Sequence, residues 1–382
     1  MSLRIQDPTD ADSAYLIDAL LDACHGAEAA GGAFAFLSPG GVRLLFKAEL
    51  FKDFIARGSF DLLVGVDAIT DTGAVRELAA VQAESPRLGA SVLIPNHPRS
   101  IFHPKFAWFD HGNGGVLLTG SGNLTAGGLR WNMEAFSVSN LDAAQMSGLR
   151  AQWDAFKLRT ADCQFAPDHP RVVDLLERNA QRRKALQKVG LELTEEGDGE
   201  FDQAAPAGDA EEPLPANETL TAADEMPAIE DQTAVLIAEI PGGGSRWKQA
   251  NFSKVTFLGF FGASETVQRR AYFFHVRDDG TLGEQEVRPA VARKSHNYSF
   301  ELRAAKDVPY PAAGRPVGIF ARIAARSFVY MLLMPGVTGY QEITQLLDSK
   351  EAASGRMRRI EFDAAEVRAA WPAAPIWQRL TV

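Results

Sequence analysis

Cysteine is almost missing from this chain of 382 residues, which has only Cys24 and Cys163. Two thiols build no disulfide framework, and they suit a reducing cytoplasm. Long hydrophobic runs are missing too: the longest, Phe328 to Met334, spans seven residues, against the roughly 20 that a membrane-crossing helix needs. The opening Met-Ser-Leu-Arg-Ile-Gln-Asp lacks the apolar stretch of a secretory leader. The expectation is a cytoplasmic protein with no membrane partner. Positive charge is absent from residues 191 to 232, which hold 14 acidic side chains and neither lysine nor arginine. Residues 1 to 190 carry 19 basic and 21 acidic groups, and residues 233 to 382 carry 20 and 14. The middle piece therefore outweighs the whole net charge of -10. With four prolines and almost no aromatics, it reads as an extended linker. Its carboxylates suit either a plain spacer or a mimic of a polyanion held beside an anion-binding cleft.

Hydrophobic patterning around that linker separates two textures. The first 190 residues alternate helix and strand signals, as an α/β layer structure does. Asp12 to Cys24, Ala74 to Ala83, Leu141 to Leu158 and Val172 to Leu186 have helical character, whereas Ala33 to Leu37, Leu62 to Val66 and Ser91 to Ile94 read as strands. Gly127-Gly128 and Leu129 to Val138 read as a turn and the next strand. Beyond residue 233 short strands follow one another: Ala234 to Ile240, Lys254 to Phe260, Arg270 to Val276, Tyr298 to Leu302, Val317 to Arg322 and Phe328 to Leu333. Such spacing predicts an all-β barrel or pseudobarrel, followed by a partly helical tail in which Trp371 and Trp377 pack back.

The densest polar pattern lies between His103 and Glu134. Ile101 to Phe109 and Val116 to Thr119 are strand-like, and Asn113-Gly114 is a hairpin turn signal. On an extended strand His103 and Lys105 point to one side, and the hairpin delivers Gly120-Ser121-Gly122-Asn123 beside them. Imidazole, ammonium, hydroxyl and amide groups in one place make a phosphate cradle with its own nucleophile. The glycines keep bulk away from an approaching backbone.

These residues resemble the signature of the phospholipase D superfamily: His-x-Lys, four residues, Asp, a spacer, then Gly-Ser-x-Asn. His103, Lys105, Asp110, Gly120, Ser121 and Asn123 match in order, and Asn132-Met133-Glu134 matches a downstream Asn-x-Glu. The spacer from 111 to 119 is longer than usual, and none of the other six histidines is followed two residues later by lysine. The resemblance implies half a catalytic centre per chain, completed in a homodimer with two facing copies of His103. It implies that one His103 attacks phosphorus, that the other protonates the leaving oxygen, and that Lys105 and Asn123 neutralise the transition state, with neither metal nor cofactor. Ser121 would support the cradle, Glu134 would hold the imidazole tautomer, and Asp110 would orient and cap the strand end.

Two polar clusters punctuate the C-terminal strands. Arg246, Trp247, Lys248 and Asn251 form one, and Arg293, Lys294 and Asn297 form the other. Arginine and asparagine read base edges, while lysine contacts phosphates, although solvated loops have the same composition. The whole order resembles the metal-independent restriction endonucleases of the BfiI and NgoFVII type. That resemblance implies a catalytic domain at 1 to 190, a linker at 191 to 232, and at 233 to 382 a DNA-binding domain similar to the plant B-three pseudobarrel. DNA and a second copy would be its partners, with a helicase-like ATPase or a companion methyltransferase beside some relatives. A lipid phosphodiesterase and a non-cleaving DNA-binding subunit are the competing readings.

Overall fold

The computed structural model describes residues 2–66, 70–97, 100–188, 225–242, 247–291, 298–351 and 356–379, with the side chains of 182–188 left aside. Most of the acidic linker, together with Arg246, Arg293, Lys294 and Asn297, lies outside the described residues. The chain divides into two compact units, one of residues 1–7 and 14–225, the other of residues 8–13 and 226–382.

In the first unit, strands and helices follow in the order β1 (Ser2–Gln6), α1 (Leu16–Ala23), β2 (Ala29–Phe34), α2 (Pro39–Phe46), α3 (Glu49–Ile55), β3 (Ser59–Val64), α4 (Thr72–Glu84), β4 (Leu88–Leu93), β5 (Lys105–Asp110), β6 (Gly114–Gly120), β7 (Glu134–Asp142), α5 (Ala143–Arg159), β8 (Gln164–Phe165) and α6 (Pro170–Lys188). They build one eight-stranded sheet in the order β1-β7-β6-β5-β2-β3-β4-β8. β2, β3 and β4 run parallel, and β5 is antiparallel to both β2 and β6. Alternation along β5 sends its side chains to opposite faces. Phe106 and Trp108 join Met146 and Trp153 of α5 in a core cluster, while Phe109 meets Phe54 edge-on and Phe60 at a tilt. Met146 and Trp153 are seven residues apart, two helical turns, so α5 buries one stripe and leaves the rest to water. Asp142 and Gln145 close a capping box at its start.

Some sequence expectations shift here. The hairpin's first strand begins at Lys105 rather than Ile101, so His103 sits on extended chain just before it. Residues 127–131 form a wide helical turn, closed by the Asn132 N–H donating to the Gly127 carbonyl at 2.8 Å. Only from Glu134 does the strand begin. Edge strand β1 has no counterpart among the expected elements. Cys24 and Cys163 are both buried.

The second unit contains β9 (Ala234–Glu239), β10 (Gln249–Asn251), β11 (Arg270–Val276), β12 (Leu282–Pro289), β13 (Ser299–Glu301), β14 (Val317–Ala324), β15 (Ser327–Leu333), α7 (Tyr340–Lys350), β16 (Arg359–Asp363) and α8 (Ala364–Ala370). Six strands pair in the order β12-β11-β15-β14-β9-β16, and β10 pairs with β13 alone. Among the described residues the larger ladder ends at β12 and β16 and does not close into a barrel. Two helices accompany it, so the unit is not purely β. Its core is aromatic, with Phe252, Phe257, Phe261, Phe273, Phe300, Phe320 and Phe328 packed together. Lys254 to Phe260, expected as a strand, instead turns helically, with Phe261 N–H donating to the Thr256 carbonyl. The run Phe257, Phe260, Phe261 is apolar at helical as well as extended spacing, and the short length leaves the period ambiguous. The tail contributes α7 and α8 and also strand β16. Trp371 is buried, and the Trp377 indole N–H donates to its carbonyl at 3.1 Å. Among the described residues, no helix is long and apolar enough to cross a membrane.

Candidate active site

The site forms where β5 starts and β6 ends. Phe106 pairs with Thr119, so antiparallel registry brings the residues before Lys105 and after Gly120 to one end of the sheet. Lys105 Nζ lies 3.1 Å from Nε2 and 3.3 Å from Nδ1 of His103. The exposed imidazole is braced on its other side by Phe36, edge to face at 5.6 Å between centroids. Phe36 also fixes the third group, because its backbone N–H donates to Asn123 Oδ1 at 3.2 Å. That bond sets which end of the amide is which: with Oδ1 engaged as acceptor, Nδ2 is the donor end. Asn123 is fully buried, and Nδ2 has no hydrogen-bond partner among the described residues. Through Phe36 this unused donor is linked to the His103 imidazole, and an unused amide donor suits a phosphoryl oxygen.

The turn that carries Asn123 is held by backbone contact. A Cβ on Gly128 would stand 2.5 Å from the Asn123 nitrogen, and one on Gly122 would stand 2.6 Å from the Gly128 carbonyl oxygen. Only glycine permits that approach. Gln6, fully buried, ties the other side: its amide donates to the Asn132 carbonyl at 2.9 Å and to the Gly128 carbonyl at 3.3 Å, while its oxygen accepts from Leu16 N–H. Neither Phe36 nor Gln6 carries a sequence signal for this role, since one sits in an apolar run and the other in the unrecognised β1.

The remaining motif residues have partners of their own. The Ser121 hydroxyl donates to Glu134 Oε2, and Asn132 Nδ2 donates to Oε1 at 3.4 Å. Within one chain Glu134 thus orients Ser121 and Asn132 instead of the imidazole. Asp110 stands at the far end of β5, about 16 Å along the strand from Lys105 at ~3.3 Å per residue. There it accepts from Gly112 N–H at 2.8 Å and pairs with Arg150 at 2.6 Å. These contacts hold Asp110 at the opposite end of β5 from Lys105.

In the second unit the polar clusters separate by chemistry. Trp247, taken from sequence as a nucleic-acid contact, is buried, with its indole N–H donating to the Val308 carbonyl at 2.8 Å and its ring edge-on to Tyr310. A large apolar ring with a single donor gains more from the core than from water. Lys248 and Asn251 remain at the surface. Lys248 pairs with Glu301 at 3.1 Å, and the Asn251 carbonyl accepts from Arg359 at 3.0 Å. Both lie at the short β10–β13 ribbon, whose registry sets Asn251 opposite Ser299.

No family model matches the chain, and no curated protein does. Among solved structures, NucT from Helicobacter pylori is similar at 14% identity, covering 43% of this chain and 97% of its own, with a TM-score of 0.31. Nuc of Salmonella typhimurium, a phospholipase D family member, is 23% identical over 43% of this chain and 96% of its own, with a TM-score of 0.29. A yeast tyrosyl-DNA phosphodiesterase is 14% identical over 37% of this chain and 32% of its own, with a TM-score of 0.25. All three scores are low.

Proposed function

We propose that this chain is a phosphodiesterase of the phospholipase D kind that cleaves DNA through a phosphohistidine, working as a homodimer in a restriction or phage-defence setting. The observation that carries the reading is the contact of Lys105 with His103, with Phe36 linking that imidazole to Asn123, whose Nδ2 has no hydrogen-bond partner among the described residues. His103 attacks phosphorus; the P–O bond to the leaving group breaks, and a phosphorus–nitrogen bond forms. A second His103, from the partner copy, donates the proton to the departing oxygen and then takes one from water, whose oxygen displaces the imidazole. Lys105 and Asn123 bind the non-bridging oxygens where charge grows. One chain supplies a single imidazole to this centre, which is why the reading requires two copies.

DNA as substrate is supported by the surface lysine and asparagine of the β10–β13 ribbon and by the six-charge excess of basic over acidic groups beyond residue 233. The test is nicking of supercoiled plasmid in EDTA by the wild-type chain and by His103→Ala. Nicking that falls at least ~10³-fold in the variant supports the reading. Wild-type hydrolysis of phosphatidylcholine vesicles without nicking would replace it with a lipid phosphodiesterase, and DNA binding without cleavage would replace it with a binding subunit.

A further inference from the structure

Beside the catalytic group a second cradle of donors holds an anion supplied by the chain itself. Phe36, which braces His103, is followed two residues later by Ser38, the N-cap of α2. Extended chain puts residues two apart on one side, roughly 6.6 Å from each other, the scale of successive phosphates along a nucleic-acid strand. The two stretches forming the sites run together: Leu37 bridges Leu124, and Ser38 N–H donates to the Leu124 carbonyl at 3.2 Å. Asn123 and Ala126 thus serve adjacent places from one turn.

Ser38 Oγ accepts from the N–H groups of Gly41 at 3.1 Å and Ala126 at 3.2 Å. With its lone pairs engaged, its proton must point outward, and it goes to the Glu225 carboxylate. That carboxylate also accepts from Gly40 N–H at 2.8 Å and Ala126 N–H at 3.3 Å. Gly40 leaves the room: a Cβ there would stand 2.9 Å from both Glu225 Oε2 and the Ala126 Cβ. Glu225 is the last residue of the first unit, 185 positions along the chain from Gly40, and lies within the acidic stretch. Its carboxylate is bound there as a ligand would be.

We propose that Ser38, Gly40 and Ala126 form a phosphate-binding subsite next to the catalytic group, which Glu225 fills until a backbone phosphate of the substrate displaces it. The inference rests on the phosphodiesterase reading. Hydroxyl and helix N-terminal N–H donors accept phosphate oxygens as readily as carboxylate oxygens. The occupant is also held against a penalty: burial pushes the Glu225 carboxyl up from its ordinary value, the bonds from Ser38, Gly40 and Ala126 pull the other way, and Asp71 adds to the rise.

The probe is inorganic phosphate, titrated calorimetrically into the full chain bearing Lys105→Ala, which weakens the catalytic phosphate site. Adding Glu225→Ala should tighten phosphate binding at least tenfold, and Glu225→Gln should tighten it less. Ser38→Ala on top of Glu225→Ala should remove the gain. Affinities within twofold of the Lys105→Ala parent for both Glu225 variants overturn the subsite, and Gln alone decides should the Ala variant fail to fold. A single-stranded oligonucleotide in the same series assigns the source. A parallel gain marks a backbone phosphate as the occupant, and a gain for inorganic phosphate alone overturns that assignment. Plasmid nicking by the chain with Lys105 intact is scored separately, so nicking without a phosphate gain sinks only the subsite, and a phosphate gain without nicking sinks only the nuclease.

Discussion

The two units offer opposite examples of a buried polar group, one saturated and one with an idle donor. In the second unit Glu286, 1% exposed, accepts from Tyr330 OH at 2.6 Å, Arg288 at 2.8 Å and Arg303 N–H at 2.9 Å. Glu239 accepts from Arg358 through its N–H and its guanidinium, at 2.9 to 3.2 Å, and from Arg315 at 2.9 Å. Burial works against the charge on Glu239, yet those bonds hold its carboxyl below its ordinary value. In the first unit Asn123 is buried with its donor end idle. A saturated buried charge serves as scaffold, while the idle Asn123 donor, at the sheet end that carries His103 and Lys105, has capacity left for a ligand.

Breaking the scaffold should give the largest loss of stability. Arg358→Ala strands Glu239 in the second unit, and removing one member of a buried pair costs about 3–5 kcal/mol. Urea unfolding should show the second unit melting early while the rate of plasmid nicking per folded molecule is kept. Asn123→Ala should do the reverse: nicking falls by ~10²–10³, equivalent to about 3–4 kcal/mol of transition-state stabilisation, while the unfolding midpoint falls less than in Arg358→Ala, by the ~1–3 kcal/mol of leaving the Phe36 N–H unpaired. If Asn123→Ala unfolds the protein as Arg358→Ala does, the contrast between the two units disappears.

Acid sharpens the same contrast. His275 packs on Tyr330 in the second unit, and burial, with Arg277 adding and Asp278 opposing, pushes its pKa down to about 4. The unfolded chain, titrating near 6.5, binds that proton first. Stability from a neutral His275 is full above pH 6.5 and is lost as pH falls toward 4, by on the order of 3 kcal/mol. Unfolding of the second unit followed from pH 7 to 4 should steepen across that window, and His275→Phe should flatten it. The smallest effect belongs to Lys248→Ala. Its exposed pair with Glu301 contributes under about 1 kcal/mol to folding, while DNA binding should weaken uniformly across sequences, with a shallower salt dependence.

What the sequence made legible follows how local each signal was. His103, Lys105, Ser121 and Asn123 lie on or directly beside one hairpin, whose antiparallel pairing brings its two ends to one edge of the sheet. Asp110 belongs to the same pattern but sits at the strand's other end, a consequence of length that a motif does not encode. Phe36, Gln6 and Glu225 reach the site from other parts of the chain, and no local period announces such encounters. Trp247 misled because an indole among polar neighbours looks like a contact, whereas Val308 and Tyr310, some 60 residues on, claim it for the core. The polar texture of the β10–β13 segments was visible, but which side chains were free was a matter of tertiary packing.

The central claim is a covalent bond between phosphorus and His103. Mass spectrometry of the His103 peptide, after brief incubation with DNA in EDTA and alkaline quenching, measures it directly. The account predicts a nucleotide adduct on that imidazole, absent in His103→Ala. Cleaved DNA with an unmodified His103 peptide, or with the adduct on another side chain, would contradict it.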